Sequence, residues 1–83
     1  MKIKLRYFAS IREAVGQSSE HMDTSAVNLA ALRDELIARG GPHAQALARG
    51  KTLRVAQNQV MAAETASLSD GDEIAFFPPV TGG

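Results

Sequence analysis

The sequence ends in Gly82-Gly83, and the terminal carboxylate of Gly83 is the group in this chain that chemistry could turn into a reactive centre. A carboxylate is a poor electrophile, but adenylation converts it to an acyl-AMP that nucleophiles attack. A sulfur donor would then give a thiocarboxylate, whereas a lysine would give an amide. Neither glycine has a Cβ, so the acyl carbon is unhindered and the tip can enter a narrow slot on a partner.

Two prolines, Pro78 and Pro79, stand just before this tip. Proline fixes φ and has no N–H, so the pair ends sheet pairing and keeps the exit stiff and extended. Four further residues reach about 13–14 Å when extended. We therefore predict that Gly83 reacts and that the three residues before it provide clearance: Val80, Thr81 and Gly82. The alternative is an inert end, because chain termini often have no role.

The side chains offer no catalytic centre of their own. The chain has no cysteine, which excludes disulfides, a thiolate metal site and a persulfide carrier. His21 and His43 lack partners at metal-ligand spacing, so we expect no metal site and two solvated histidines. The serines carry no nucleophile signature, and Gly40-Gly41-Pro42 is not a phosphate loop.

Size and charge narrow the class of protein. The chain has 83 residues, enough for one domain, and its nine basic and nine acidic residues give a formal net charge of zero. A neutral domain is not typical of nucleic-acid binding. The amino-terminal segment has no apolar run of signal-peptide or membrane length, so we expect a cytoplasmic protein without a membrane partner. We predict a domain over residues 1–77 and a flexible tail over residues 78–83.

Hydrophobic patterning predicts the elements that must carry the tail. Alternation predicts strands over 2–8, 20–23 (at a sheet edge), 53–57, 60–62 and 73–77. The main helix should run from Leu29 to Arg39 behind an Asn28 cap, with a shorter turn from Pro42 to Leu47. We expect Ser10 to cap another short turn that Gly16 ends. One main helix on a mixed sheet of four to five strands is an α+β roll.

Strand parity predicts an exposed aromatic pair. If the first and last strands are parallel neighbours, Phe8 and Phe77 lie at one end of the sheet and point away from the helix. Met61, on the short return strand, could join them. Such a patch beside the tail would suit a partner, although the turn after Phe8 could instead cover one of the rings.

Several stretches resemble the small subunits of molybdopterin synthase, which are ubiquitin-like sulfur carriers. The resemblance is strongest from Asp70 to Gly83 and includes Tyr7 to Glu13, the helix Leu29 to Leu36, and Val55 to Gln59. It spans nearly the whole chain. It implies a β-grasp fold, in which the first and last strands lie parallel at the centre of the sheet.

The resemblance also implies a function. A ubiquitin-activating-type adenylyltransferase would use ATP to adenylate Gly83, and a sulfur-donating system would convert it to a thiocarboxylate. The tail would enter the large subunit of a heterotetramer and give its sulfur to cyclic pyranopterin monophosphate. No cofactor would be bound by the chain itself. The contact positions carried over by the resemblance are Phe8, Met61, Phe77 and Pro78, with Arg12 as a polar contact.

Three alternatives remain at this point. The chain could carry sulfur for another pathway, such as the thiazole of thiamine, although those carriers are usually shorter and lack Phe-Phe-Pro-Pro-Val-Thr. It could be a ubiquitin-like modifier joined to lysines through Gly83. It could also be a β-grasp binding module with an inert tail.

Overall fold

The computed structural model describes residues 1–79, and it contains five strands and three helices. In chain order these are β1 Lys2–Tyr7, α1 Ala9–Val15, β2 Ser19–Asp23, α2 Leu29–Ala38, α3 Gly41–Ala46, β3 Arg54–Gln57, β4 Val60–Met61 and β5 Glu73–Phe77. Every element predicted from the sequence is present, with bounds that differ by at most two residues. None of the three helices in residues 1–79 is long and apolar enough to cross a membrane.

The five strands form one sheet in the order β2-β1-β5-β3-β4. The central strands β1 and β5 are parallel, whereas the other neighbouring pairs are antiparallel. β2 lies at an edge, as predicted. The mixed sheet with α2 packed across one face confirms the α+β roll, and the parallel central pair confirms the β-grasp topology.

The core lies between α2 and one face of the sheet. Alternate β1 residues and alternate β5 residues point into it, as do the residues spaced along one stripe of α2: Ile3, Leu5, Tyr7, Ile74, Phe76, Leu29, Leu32 and Leu36. Burial of each large side chain contributes about 1.5–3 kcal/mol. The Asn28 side chain caps α2 by accepting a 2.8 Å hydrogen bond from the Ala31 N–H, as expected.

The prediction that Ser10 caps the first helix is wrong. α1 begins at Ala9, and the capping position is Phe8, which has no side-chain cap. Ala9 takes a φ of +50°, so the chain turns from strand to helix two residues earlier than expected and Ser10 lies inside the helix. The end at Gly16 is confirmed, because Gly16 has a φ of +89° and its N–H donates to the Arg12 carbonyl.

The prediction that His43 is a solvated residue is also wrong. His43 Nε2 lies 2.9 Å from Glu20 Oε2, and the same carboxylate accepts hydrogen bonds from the Tyr7 hydroxyl and from Arg39, each at 2.8 Å. Partial burial alone would raise the pKa of Glu20, but the bonds from Arg39, His43 and Tyr7 outweigh it and lower that pKa to about 2. This carboxylate therefore joins the edge strand β2 to β1 and to both helices α2 and α3.

Candidate functional site

Phe8 and Phe77 form an apolar patch on the sheet face that α2 leaves open. Their ring centroids are 6.3 Å apart with the planes at 87°, an edge-to-face contact. The contact arises because the Phe8 N–H donates to the Phe76 carbonyl, which aligns the ends of β1 and β5. Phe8 is 38% exposed, so the turn after it does not cover its ring. We call this pair the aromatic patch, and the docking role predicted for it stays a prediction.

Met61 lies on the same face but two strands away from Phe77. It pairs with Ala56 on β3, and Ala56 pairs with Ala75 on β5. Residues opposite one another in a sheet share a face, so Met61 extends an apolar row across the small side chains of the two alanines. Its side chain is 52% exposed. Met61 is thus available to a partner that covers the aromatic patch.

Two arginines flank the last strand on this open face. The Arg6 guanidinium carbon lies 5.1 Å above the Phe8 ring centroid, a cation–π arrangement. Arg54 pairs with Phe77 across β3 and β5 and is exposed. Neither has an ion pair within residues 1–79. The alternation of charged and apolar residues along β1 gave no sign that Arg6 stacks on Phe8.

Pro78 and Pro79 each line a depression in the protein surface. Pro78 lines a cavity of about 130 Å³ with Ser10, Ala14 and Leu53, among others. Pro79 lines a groove of about 490 Å³ that Leu53 also lines and that reaches Met61. Both prolines are half-buried, so contacts with neighbouring atoms, as well as the proline rings themselves, set the direction of the backbone at residues 78 and 79.

Arg33 fixes the loop of residues 47–51, which comes just before the residues that line the two depressions beside Pro78 and Pro79. Its guanidinium donates to the carbonyls of Leu47, Ala48 and Lys51 at 2.6–2.9 Å, and to the Glu64 carboxylate at 2.7 Å. Arg33 is only 5% exposed. The loop held in this way leads directly into the residues that line both depressions. The position of Arg33 in the middle of a helix gave no indication of this role, because the carbonyls that it binds come from another part of the chain.

Asp72 fixes the start of the last strand. Its carboxylate accepts hydrogen bonds from Gln57, Asn58 and the Ser69 N–H at 2.8–2.9 Å. Burial alone would raise the pKa of Asp72, but these bonds outweigh it and hold that pKa below its usual value. Asp70-Gly71-Asp72 therefore forms a turn whose role is structural. Gly71 supplies the φ of +85° that the turn requires.

The remaining predicted site residues divide into two groups. Arg12 is exposed on α1, one turn beyond Phe8, and its predicted polar contact stays a prediction. The tail positions Val80, Thr81, Gly82 and Gly83 lie outside the described residues. Within residues 1–79, no group of three His, Asp or Glu side chains is placed to hold a metal ion. The described part of the chain can thus hold and aim a tail and present a face to a partner.

Comparison with known proteins supports the resemblance seen in the tail. The model of the ThiS family matches residues 5–83. The molybdopterin synthase sulfur carrier subunit of Escherichia coli strain K12 is 43% identical over 81 residues, which cover 98% of this chain and 99% of that protein.

Two solved structures share the whole fold. Small archaeal modifier protein 1 of Haloferax volcanii superposes with a TM-score of 0.78 at 25% identity over all of both chains. A chain in the complex of subunits 1 and 2 of molybdopterin-converting factor from Helicobacter pylori superposes with a TM-score of 0.68 at 26% identity, again over all of both chains. The predicted resemblance to ubiquitin-like sulfur carriers is confirmed, and this chain belongs to the ThiS family.

Proposed function

We propose that this chain is the sulfur carrier subunit of a molybdopterin synthase and that the carboxylate of Gly83 holds the sulfur. The observation that carries the proposal is the aromatic patch, which stands beside the Pro78-Pro79 exit in a chain 43% identical to such a subunit. The fold provides a rigid base, the prolines provide a stiff exit, and the exposed Phe8 ring and the half-buried Phe77 ring provide a contact for the protein that receives the tail.

The proposed chemistry takes place at the chain end. The Gly83 carboxylate attacks the α-phosphorus of ATP and displaces pyrophosphate, which gives an acyl-adenylate. A sulfur donor then displaces AMP and leaves a thiocarboxylate. In the acceptor site this sulfur attacks a carbon of cyclic pyranopterin monophosphate and displaces the oxygen substituent on that carbon. Water then cleaves the acyl–sulfur bond, so the sulfur stays on the substrate and the carboxylate returns. Two such transfers build the dithiolene.

The enzyme in this scheme is the assembled synthase. This chain supplies the sulfur, and the large subunit supplies the acid–base side chains and the substrate pocket. We propose that the aromatic patch, Met61 and Pro78 contact the large subunit in a heterotetramer. The complex of subunits 1 and 2 from Helicobacter pylori supports such an assembly. A ubiquitin-activating-type adenylyltransferase would use ATP to activate the tail, and the chain itself would bind no cofactor.

A second function, conjugation of Gly83 to lysines, has specific support. The chain is 35% identical over 97 residues to small archaeal modifier protein 3 of Haloferax volcanii, a relative that it covers completely. An acyl-adenylate is the common intermediate, so the fate of the tail depends on which nucleophile meets it. Lysine conjugates ending in Gly82-Gly83 in a digest of the native cells would favour this second function.

Deletion of Gly83 tests the main proposal. The variant keeps every core residue and every residue of the aromatic patch found in residues 1–79, so the melting temperature and the affinity for the large subunit should stay unchanged. Sulfur transfer in a reconstituted synthase should fall to background, because the chain end is about 3.4 Å shorter and its acyl carbon is displaced. A variant in which exposed Gly50 is replaced by alanine is the control, since a Cβ there meets nothing within 4 Å. Full transfer by the deleted protein would contradict the proposal.

A further inference from the structure

The six arginines of this chain fall into two sets of three. Arg33, Arg39 and Arg49 each form an ion pair with a carboxylate on the helix side of the fold. Arg6, Arg12 and Arg54 form none within residues 1–79. Two of these three, Arg6 and Arg54, stand on the open face beside the aromatic patch. The arginines on the helix side are therefore paired with carboxylates. Arg6 and Arg54, near the point where the tail leaves the sheet, have no such pairs within residues 1–79.

The acidic residues of the open face lie at the opposite end. In the strand register, Asp23 lies opposite Lys2 and Glu73 lies opposite Lys4, at the start of β1 and β5. Arg6 pairs with Ala75 and lies two residues further along, towards the tail. Charge on this face is thus mixed at the far end and positive at the exit end.

The spacing of the two arginines fits a contact on both sides of the patch. Arg6 is on β1 and Arg54 is on β3, with β5 between them. Because neighbouring strands are about 4.8 Å apart, the two backbones are separated by roughly 10 Å across the sheet. Stacking on Phe8 restricts the Arg6 side chain while its N–H groups stay available, so ordering it in a complex costs less entropy.

We propose that Arg6 and Arg54 bind carboxylates of the large subunit that lie on either side of the surface receiving the aromatic patch, and that these contacts steer association. The inference rests on the proposed function and adds the chemistry of the partner surface: an apolar centre with acidic groups on either side. Charges at the edge of an interface act mainly on the rate of association, which steering raises by one to three orders of magnitude and which salt reduces.

Association rates with the cognate large subunit test the inference. The rate constant of the wild-type protein should fall steeply as NaCl rises from about 20 to 300 mM. Arg6→Gln and Arg54→Gln should each lower it about three- to tenfold at the lowest salt and reduce its salt dependence. Arg6→Lys keeps the charge and should retain the salt dependence. Lys2→Gln is the matched control, because it removes one charge from the mixed end and should leave the rate within about twofold.

The outcomes separate this inference from the function on which it rests. A rate constant independent of salt, or a Lys2→Gln effect as large as that of Arg54→Gln, would overturn the acidic partner surface. If Phe77→Ala abolished binding while both Arg→Gln variants bound at the wild-type rate, the carrier function would stand and the inference would fall. Failure of the wild-type chain to bind the large subunit would overturn both. Arg54 is exposed, so its variant remains informative even if the partly buried Arg6 variants unfold.

Discussion

Replacement of Glu20 by glutamine should cost about 2 kcal/mol of the free energy of unfolding at pH 7. The carboxylate accepts hydrogen bonds from Tyr7, Arg39 and Gln17 and pairs with His43, all at 2.8–3.0 Å. Glutamine keeps one acceptor oxygen but turns an NH2 group towards these donors. Tyr7 is buried, so its hydroxyl cannot recover the lost bond from water.

The size of the effect follows from the pKa of Glu20. Lowering it from 4.5 to about 2 corresponds to at most about 3 kcal/mol. The Glu20 side chain is 15% exposed and Arg39 is more exposed, so solvent screening reduces the benefit to about 2 kcal/mol. In a domain of this size that loss lowers the melting temperature by roughly 8–16 °C.

The pH dependence has a definite sign. Because folding lowers the pKa of Glu20, its stabilisation is fully present above about pH 4.5 and is lost as the pH falls towards about 2. The difference in unfolding free energy between the wild type and Glu20→Gln should therefore shrink over that window. Other carboxylates with lowered pKa values, such as Glu64 and Asp72, act equally on both proteins and cancel in the difference.

Urea denaturation at a series of pH values measures this difference directly. Glu13→Gln is the matched control, because the Glu13 side chain is exposed on α1 and forms no ion pair within residues 1–79. Its unfolding free energy should match that of the wild type at each pH. Equal losses for Glu20→Gln and Glu13→Gln, or a Glu20→Gln loss that persists unchanged at pH 2, would show that the Glu20 carboxylate does not stabilise the fold.

Two further predictions concern the aromatic patch and the loop of residues 47–51 that Arg33 holds. Phe77→Ala should weaken binding to the large subunit by about 2 kcal/mol, or roughly 30-fold, in calorimetric titration. The control Val27→Ala, on the helix side, should have no effect. Equal affinities of the Phe77→Ala and Val27→Ala variants would contradict the docking role of the aromatic patch. Arg33→Met should lower the unfolding free energy by about 3 kcal/mol, because three carbonyls and Glu64 lose their donor. The control Arg49→Met, at an exposed arginine, should cost less than about 1 kcal/mol. A larger loss for Arg49→Met than for Arg33→Met in urea denaturation would contradict the role of Arg33 in holding the loop.

The sequence predicted those features of the fold that depend on local periodicity. Alternation through Ile3, Leu5 and Tyr7, and the stripe Leu29, Leu32 and Leu36, report burial directly, because each periodicity belongs to one type of backbone. All six side chains are in the core. Parity also placed Phe8 and Phe77 together, because the parallel pairing of the two strands fixes their relative direction.

Contacts between distant segments could not be predicted in this way. The Glu20–His43 pair spans 23 residues, and Arg33 reaches carbonyls 14 to 18 residues further along the chain. Their residue types are those of ordinary solvated charges, so only the packing of helices on the sheet reveals the partners. Ser10 failed as a cap for a related reason: the hydrogen bond from Phe8 to Phe76 sets where the strand ends, and this overrides the local preference of serine.

The intact mass of the protein from its native cells, with its activating enzyme present, is the decisive test of Gly83 as the sulfur-bearing residue. We expect a species in which one oxygen is replaced by sulfur, an increase of about 16 Da, with the change localised to Gly83 in a carboxyl-terminal fragment. An unmodified mass together with Gly83–lysine conjugates would contradict the carrier function and establish the modifier. An unmodified mass without conjugates would contradict both.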